Sequence, residues 1–154
     1  MFKSTVKKKY KMTKEGNYYR IQALIDIPGV VRAGEKGGLI EKASNLSQEG
    51  GAWVSYDAKV SGNARVSDDA RVFDNAKVFG GAKVSKPHHV FTASALGYHV
   101  TVTPQNIVVG CQTWAYDDAL PTLAKALELG VKTKTEYKML KTLVKIGKKV
   151  VKDV

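Results

Sequence analysis

Residues 50–85 read GGAWVSYDAKVSGNARVSDDARVFDNAKVFGGAKVS, one six-residue unit written six times. The fifth column is always valine: Val54, Val60, Val66, Val72, Val78 and Val84. The third is always alanine: Ala52, Ala58, Ala64, Ala70, Ala76 and Ala82. Turn formers precede each alanine, as in Gly62-Asn63, Asp68-Asp69 and Gly80-Gly81. The fourth column holds Trp53 and then only cations: Lys59, Arg65, Arg71, Lys77 and Lys83. A helix would scatter valines six apart around its circumference. A strand puts the alanine and valine of Ala-x-Val on one side and the cation between them on the other. Gly, Asn and Asp then turn the corner, because they tolerate positive φ or bond their own backbone.

A short strand and a corner every six residues predict a three-sided rod, three hexads to a turn, with valine inside and the cations outside. The repeat resembles the hexapeptide-repeat left-handed parallel β-helix family, whose motif is an aliphatic residue with a small residue four later, as in Val54…Ala58 and Val60…Ala64. The left hand is what that resemblance implies. The expected fold is mainly β with C-terminal α: a short left-handed parallel β-helix of two to three turns, capped by an N-terminal β-hairpin and followed by a β-hairpin and two helices. Two turns at strand spacing stand only about 10 Å tall, and open strand edges pair with strangers. The flanks must cap them, or a homo-dimer or trimer must.

The flanks divide the chain into residues 1–29, 30–86 and 87–154. In the first, Val6–Met12 and Tyr18–Ile27 read as strands about a Lys14–Asn17 turn. Its cations Lys7, Lys8, Lys9 and Lys11 suit either a nucleic-acid contact or an edge strand protected by lysine. In the second, Gly37-Gly38 reads as a corner, since neither glycine-rich phosphate motif is present. The run from Val31 through Ala33-Gly34, Gly37-Gly38-Leu39-Ile40-Glu41 and Asn45–Val54 resembles short hexapeptide-repeat proteins of phages and prophages, the YdcK-like group. Lys9-Tyr10-Lys11 before it and Gly110-Cys111-Gln112 after it extend the likeness over residues 7–115. The resemblance implies a phage origin, and no catalytic residue or cofactor. An anti-defence inhibitor, for example of a CRISPR effector, is the expectation that fits such a protein, acting in the host-cell cytoplasm.

Net charge is +11 over 154 residues, and it sits at the two ends. Residues 132–154 carry eight lysines against Glu136 and Asp153. No apolar run is long enough to span a membrane, and no apolar stretch follows the basic start as a secretory signal requires. Cys111 is the single cysteine, which excludes an intramolecular disulfide.

After the repeat, Leu96–Thr103 and Ile107–Thr113 read as a hairpin that lids the rod, with Trp114 and Tyr116 beneath it. Residues 117–130 read as a helix capped by Asp117 or Asp118, with Leu120, Leu123, Ala124 and Leu127 as its apolar face. Residues 133–152 read as a second helix opened by the capping box Thr133-x-x-Glu136. Its apolar stripe is Tyr137, Leu140, Leu143, Val144, Val150 and Val151, interrupted at Gly147. Lys134, Lys138, Lys141, Lys145, Lys148 and Lys152 step by four and three, so they form one cationic ridge on the opposite side.

These residues set the functional expectation: a non-enzymatic protein that binds an acidic host protein or ribonucleoprotein, with no metal and no cofactor. One alternative is nucleic-acid binding through the lysine ridge, since phosphate neutralisation needs little beyond charge. A helix-turn-helix is disfavoured, because Glu136 stands where an apolar residue belongs. Another alternative is a hexapeptide-type acyltransferase using His88 or His89, but no carboxylate is positioned by sequence to orient them. A metal site from His88, His89, His99 and Cys111 lacks ligand-pair spacing. Cys111 reads as a buried small side chain.

Overall fold

A computed structural model describes residues 7–152. Strands β1 (Tyr10–Glu15) and β2 (Tyr18–Ala23) form an antiparallel hairpin, with Tyr10 opposite Ala23 and Glu15 opposite Tyr18. The sequence-predicted start of β1 at Val6 lies outside the described residues. Strand β3 (Lys36–Ile40) pairs antiparallel with β2. Gly37 and Gly38 are therefore strand residues and not a corner. Their lack of a side chain has a steric cause. A Cβ on Gly38 would lie 2.2 Å from the Ser55 carbonyl oxygen, and one on Gly37 would lie 2.7 Å from that of Val54.

The hexads give six two-residue strands: β4 (Trp53–Val54), β5 (Lys59–Val60), β6 (Arg65–Val66), β7 (Arg71–Val72), β8 (Lys77–Val78) and β9 (Lys83–Val84). They pair in parallel, β4 with β7, β5 with β8 and β6 with β9, so that Val54 meets Val72, Val60 meets Val78 and Val66 meets Val84. None of the repeat's third-column alanines or fifth-column valines is more than 1% exposed. The first hexad column supplies the corners: Gly50, Gly62, Asp68, Asp74 and Gly80 all hold φ between 52° and 71°.

The fold class expected from the repeat is corrected by how these strands join the rest. β3 pairs with β2 on one edge and in parallel with β5 on the other, giving a five-stranded mixed sheet β1-β2-β3-β5-β8. The architecture is one of mixed sheets of mostly short strands with two C-terminal helices, in place of a left-handed parallel β-helix with hairpin caps. The N-terminal hairpin is part of a sheet because the two glycines let β3 close on the backbone of the hexads.

Beyond the repeat, Pro87–His89 is a turn of 3-10 helix. Four strands follow where two were expected: β10 (Phe91–Ala95), β11 (Tyr98–Val102), β12 (Asn106–Val109) and β13 (Gln112–Ala115). They form an antiparallel meander in chain order. Leu96-Gly97, both at positive φ, turn the chain between β10 and β11 at the predicted start of the first strand, and Gly110-Cys111 break the second. Helix α1 (Leu123–Glu128) is shorter than predicted. Thr122 caps it and accepts from Lys125 N, whereas Asp118 accepts from Ala115 N in the turn after β13. Its buried residue is Ala126, and Leu127 is exposed. Helix α2 (Lys134–Val151) matches its predicted span.

Side chains finish the open edges of the parallel pairs. At one edge, Asn45 Nδ2 donates to the carbonyls of Gly62 and Ala64, while the backbone N–H groups of Leu39, Glu41 and Ser47 reach Ala58, Val60 and Val66. Lys9 completes that edge: its Nζ donates to Ala52 O at 2.8 Å and lies 3.4 Å from the carbonyls of Glu49 and Gly50. At the other edge, Lys77 N donates to Thr101 Oγ1, Lys83 N to Gln105 Oε1, and Asn106 Nδ2 to Phe79 O. Side chains from both flanks thus take up part of the hydrogen-bonding capacity of both edges.

Lys9 is 1% exposed, and burial pushes its ammonium from 10.5 down to about 8. Next to it, burial raises the Tyr10 phenol from 10.0 to about 12, and its hydroxyl donates to Leu46 O at 2.6 Å. Between pH 8 and 10.5 the unfolded chain holds the Lys9 proton more tightly than the folded one, so folded stability rises with pH. Tyr10 acts in the opposite sense above pH 10, where the unfolded phenol ionises first. Urea midpoints at pH 8 and pH 10 will show a larger gain for the wild type than for Lys9→Met. Equal gains would mean that the ammonium is not desolvated. Gly38→Ala is expected to lose about 1–3 kcal/mol of stability through its clash with fixed backbone, read from the same denaturation curves at neutral pH.

Candidate interaction surface

Helix α2 begins where the sequence places it. The Thr133 hydroxyl accepts from Glu136 N at 3.1 Å. The other half of the capping box is redirected. The Glu136 carboxylate accepts from Lys132 N and from the Tyr98 hydroxyl, both at 3.0 Å, which ties the first turn of α2 to β11. Tyr137 donates to Pro121 O at 2.8 Å, and Tyr116 donates to Lys148 O at 3.0 Å near the other end. The inner face, Leu140, Val144 and Val151, packs with Val100, Val102 and Ile107. Val150, assigned to that stripe by periodicity, is 42% exposed.

The six lysines run along one flank of α2, beside its buried stripe rather than opposite it, as Lys141 shares a cavity lining with Leu140 and Val144. Lys134, Lys138, Lys141, Lys145 and Lys152 are exposed, and Lys148 is half-buried with its Nζ 5.1 Å from the centre of the Tyr116 ring. The Lys141 ammonium lies 5.5 Å from the centre of the Tyr137 ring. Such contacts orient a lysine without neutralising it. Among the described residues no carboxylate forms an ion pair with the lysines of α2. Lys149 is also exposed and belongs with this surface. The step of four and three passes over it, although it lies one turn on from Lys145.

The other predicted cations divide. Lys7, Lys8 and Lys11 are exposed, but Lys9 is a buried structural residue, which removes it from any binding set. Lys59, Arg65, Arg71, Lys77 and Lys83 are exposed on the hexads, with Lys59 beside Lys77 and Arg65 beside Lys83 in parallel register. Trp53 differs from the rest of its column: it is 3% exposed and packs edge-on against Tyr10, ring centres 6.4 Å apart. Arg20, not singled out by the sequence, makes a two-point contact with Glu15 at 2.8 and 2.9 Å and lies 4.4 Å from the centre of the Tyr56 ring. Those three groups brace the hairpin against the repeat. The basic hairpin and the basic helix belong to different sheets, because α2 packs on β10 and β11.

The candidate chemical groups are placed as follows. His89 is buried, and its Nδ1 accepts from the backbone N–H groups of Ser85 and Lys86. His88 is exposed and lies edge-on to it. His99 Nδ1 lies 2.6 Å from Ser94 Oγ. Cys111 is exposed in the β12–β13 turn, not buried as its type suggested. Among the described residues no cluster of three or more His, Cys, Asp or Glu side chains is placed to hold a metal ion, and no helix is long and apolar enough to cross a membrane. No protein-family model matches the chain, and a search of curated proteins finds no match.

Gly147 decides how closely the ridge is held to the meander. A Cβ there would stand 2.6 Å from Phe91 Cδ1 and 2.7 Å from Val102 Cγ2. Helix propensity alone favours Gly147→Ala by about 1 kcal/mol. Overpacking at this contact outweighs that gain, so Gly147→Ala is expected to destabilise by about 1–2 kcal/mol net in thermal or urea unfolding. A more stable variant would show that α2 sits further from the sheet.

Proposed function

We propose that the protein is a non-enzymatic interaction protein that docks on an acidic surface of a partner protein or ribonucleoprotein through the lysine ridge of α2. The observation that carries this reading is the pairing of a firmly seated helix with an unneutralised cationic face. The inner side of α2 is anchored at Tyr98, Tyr116, Tyr137 and Gly147, while the outer lysines have no carboxylate partner among the described residues. Concentrated charge of one sign steers an oppositely charged partner and suppresses wrong ones. A binding role is also supported over acyl transfer by His89, whose Nδ1 is occupied with the backbone of its own turn. Inhibition of a bacterial defence complex, the role that the phage resemblance suggests, is one instance of this mode of binding.

The test compares charge reversal on two faces. Lys138→Glu/Lys141→Glu/Lys145→Glu and, separately, Lys59→Glu/Lys77→Glu are immobilised beside the wild type and exposed to nuclease-treated bacterial lysate. The first variant is expected to lose the wild-type partners, and the second to keep them. Equal recovery by all three would remove α2 as the binding element. Partners captured only without nuclease treatment would point to nucleic acid, with affinity falling steeply as salt rises.

A further inference from the structure

The core between the meander and the helices contains an open space. A cavity of about 300 Å3 lies there, lined by Val109, Trp114, Leu120, Ala126, Leu140 and Val144 among others. That volume is at the lower end of small-molecule sites, which are concave, mostly apolar and carry few polar groups. Its walls come from the meander, the α1 region and α2, so it admits a single chain and not a flat bilayer surface. Lys141 lines this cavity and also a second groove alongside, where Lys145 and Lys148 join it. Leu120 and Val144 line both spaces as well. Among the described residues no carboxylate lines either space.

The geometry points to a binding site for a free single-chain amphiphile with an anionic head, of the medium-chain monocarboxylate class. The alkyl chain lies in the cavity against Trp114, Leu140 and Val144, and the carboxylate meets Lys141 at the groove. Apolar side chains facing empty space forgo dispersion contacts that an alkyl chain restores. A carboxylate on an ammonium makes a charge-assisted contact that an alcohol cannot equal. A cationic head would meet Lys141, Lys145 and Lys148 as like charges. This assignment stands on the cavity and is independent of partner docking, although Lys141 serves in both.

The probe is sodium decanoate, titrated calorimetrically below its micelle concentration, with decanol and decyltrimethylammonium in parallel. Saturable one-to-one binding of decanoate is expected, at least about tenfold tighter than decyltrimethylammonium. In NMR spectra the indole N–H of Trp114 shifts, while that of Trp53, in the other core, does not. Ala126→Phe, which fills the cavity, removes binding. Lys141→Glu, at an exposed position and with its fold checked by circular dichroism, weakens it by about tenfold. Lys59→Glu makes the same charge change on the other core's sheet and leaves affinity within about twofold. Absence of saturable binding, equal affinity for the cationic amphiphile, or equal losses in Lys141→Glu and Lys59→Glu would overturn the assignment. None of these results bears on partner capture, which is read by the lysate experiment.

Discussion

The structure depends on satisfying the backbone at the two ends of the parallel pairs. Two-residue strands offer few ladder bonds each, and their outer edges expose carbonyls at one end and N–H groups at the other. A buried, unpaired backbone group costs about as much as a lost hydrogen bond. The chain answers with side chains drawn from both flanks. Asn45 and Lys9 donate to carbonyls at one edge, and Thr101 and Gln105 accept from N–H groups at the other. Lysine suits the place of Lys9, because its long stem carries three donors to a point where the carbonyls of Ala52, Gly50 and Glu49 converge. Desolvation of the charge is the cost, and it appears as the lowered pKa. The flanks are thus bonded into the repeat as structural members.

That bonding also passes placement along the chain. Thr101 lies on β11 and Asn106 on β12, so hydrogen bonds to Lys77 and Phe79 fix the meander against the hexads. The meander in turn carries α2, through Val100, Val102 and Phe91 on one side and the Tyr98–Glu136 bond at the helix start. The position of the lysine ridge is therefore set by contacts that begin in the repeat. Tyr116 and Tyr137 hold the helix through hydrogen bonds to backbone carbonyls, and their rings orient the Lys148 and Lys141 ammoniums without neutralising them.

The interior of the hexads was legible because burial at one recurring position demands the same side chain each time. Valine and alanine at fixed columns could be read inward, and the pairing of Lys59 with Lys77 followed from the spacing. The way the repeat joins its neighbours was not legible. β3 has no hexad signature, and Gly37-Gly38 reads as a corner, because the backbones it closes on, at Val54 and Ser55, are distant in sequence. Nor does residue type separate Lys9 from Lys7 and Lys8. Lys9 and Tyr10 are both buried although they are adjacent, because Lys9 precedes the strand and escapes its alternation. The ridge on α2 was legible from helical spacing, but the cavity beside it was not. Its lining comes from the meander, α1 and α2, whose packing leaves no period in the sequence. Cys111 is exposed against the burial preference of its type because it sits in the tight turn between β12 and β13.

Gly147 shows how local preference and tertiary contact are weighed in this protein. Taken alone, a glycine within α2 lowers helix stability, and the sequence marks it as a defect. In the structure it is buried, and it is the place where the helix backbone meets Phe91 and Val102 without an intervening side chain. Close approach there lets Leu140, Val144 and Val151 reach the meander together. A helix held at such a distance presents its lysines on an ordered backbone, so under the proposed docking mainly side chains remain to be ordered. The helix gives up intrinsic propensity and gains a fixed seat, and that exchange makes a lysine face into a surface with a defined geometry.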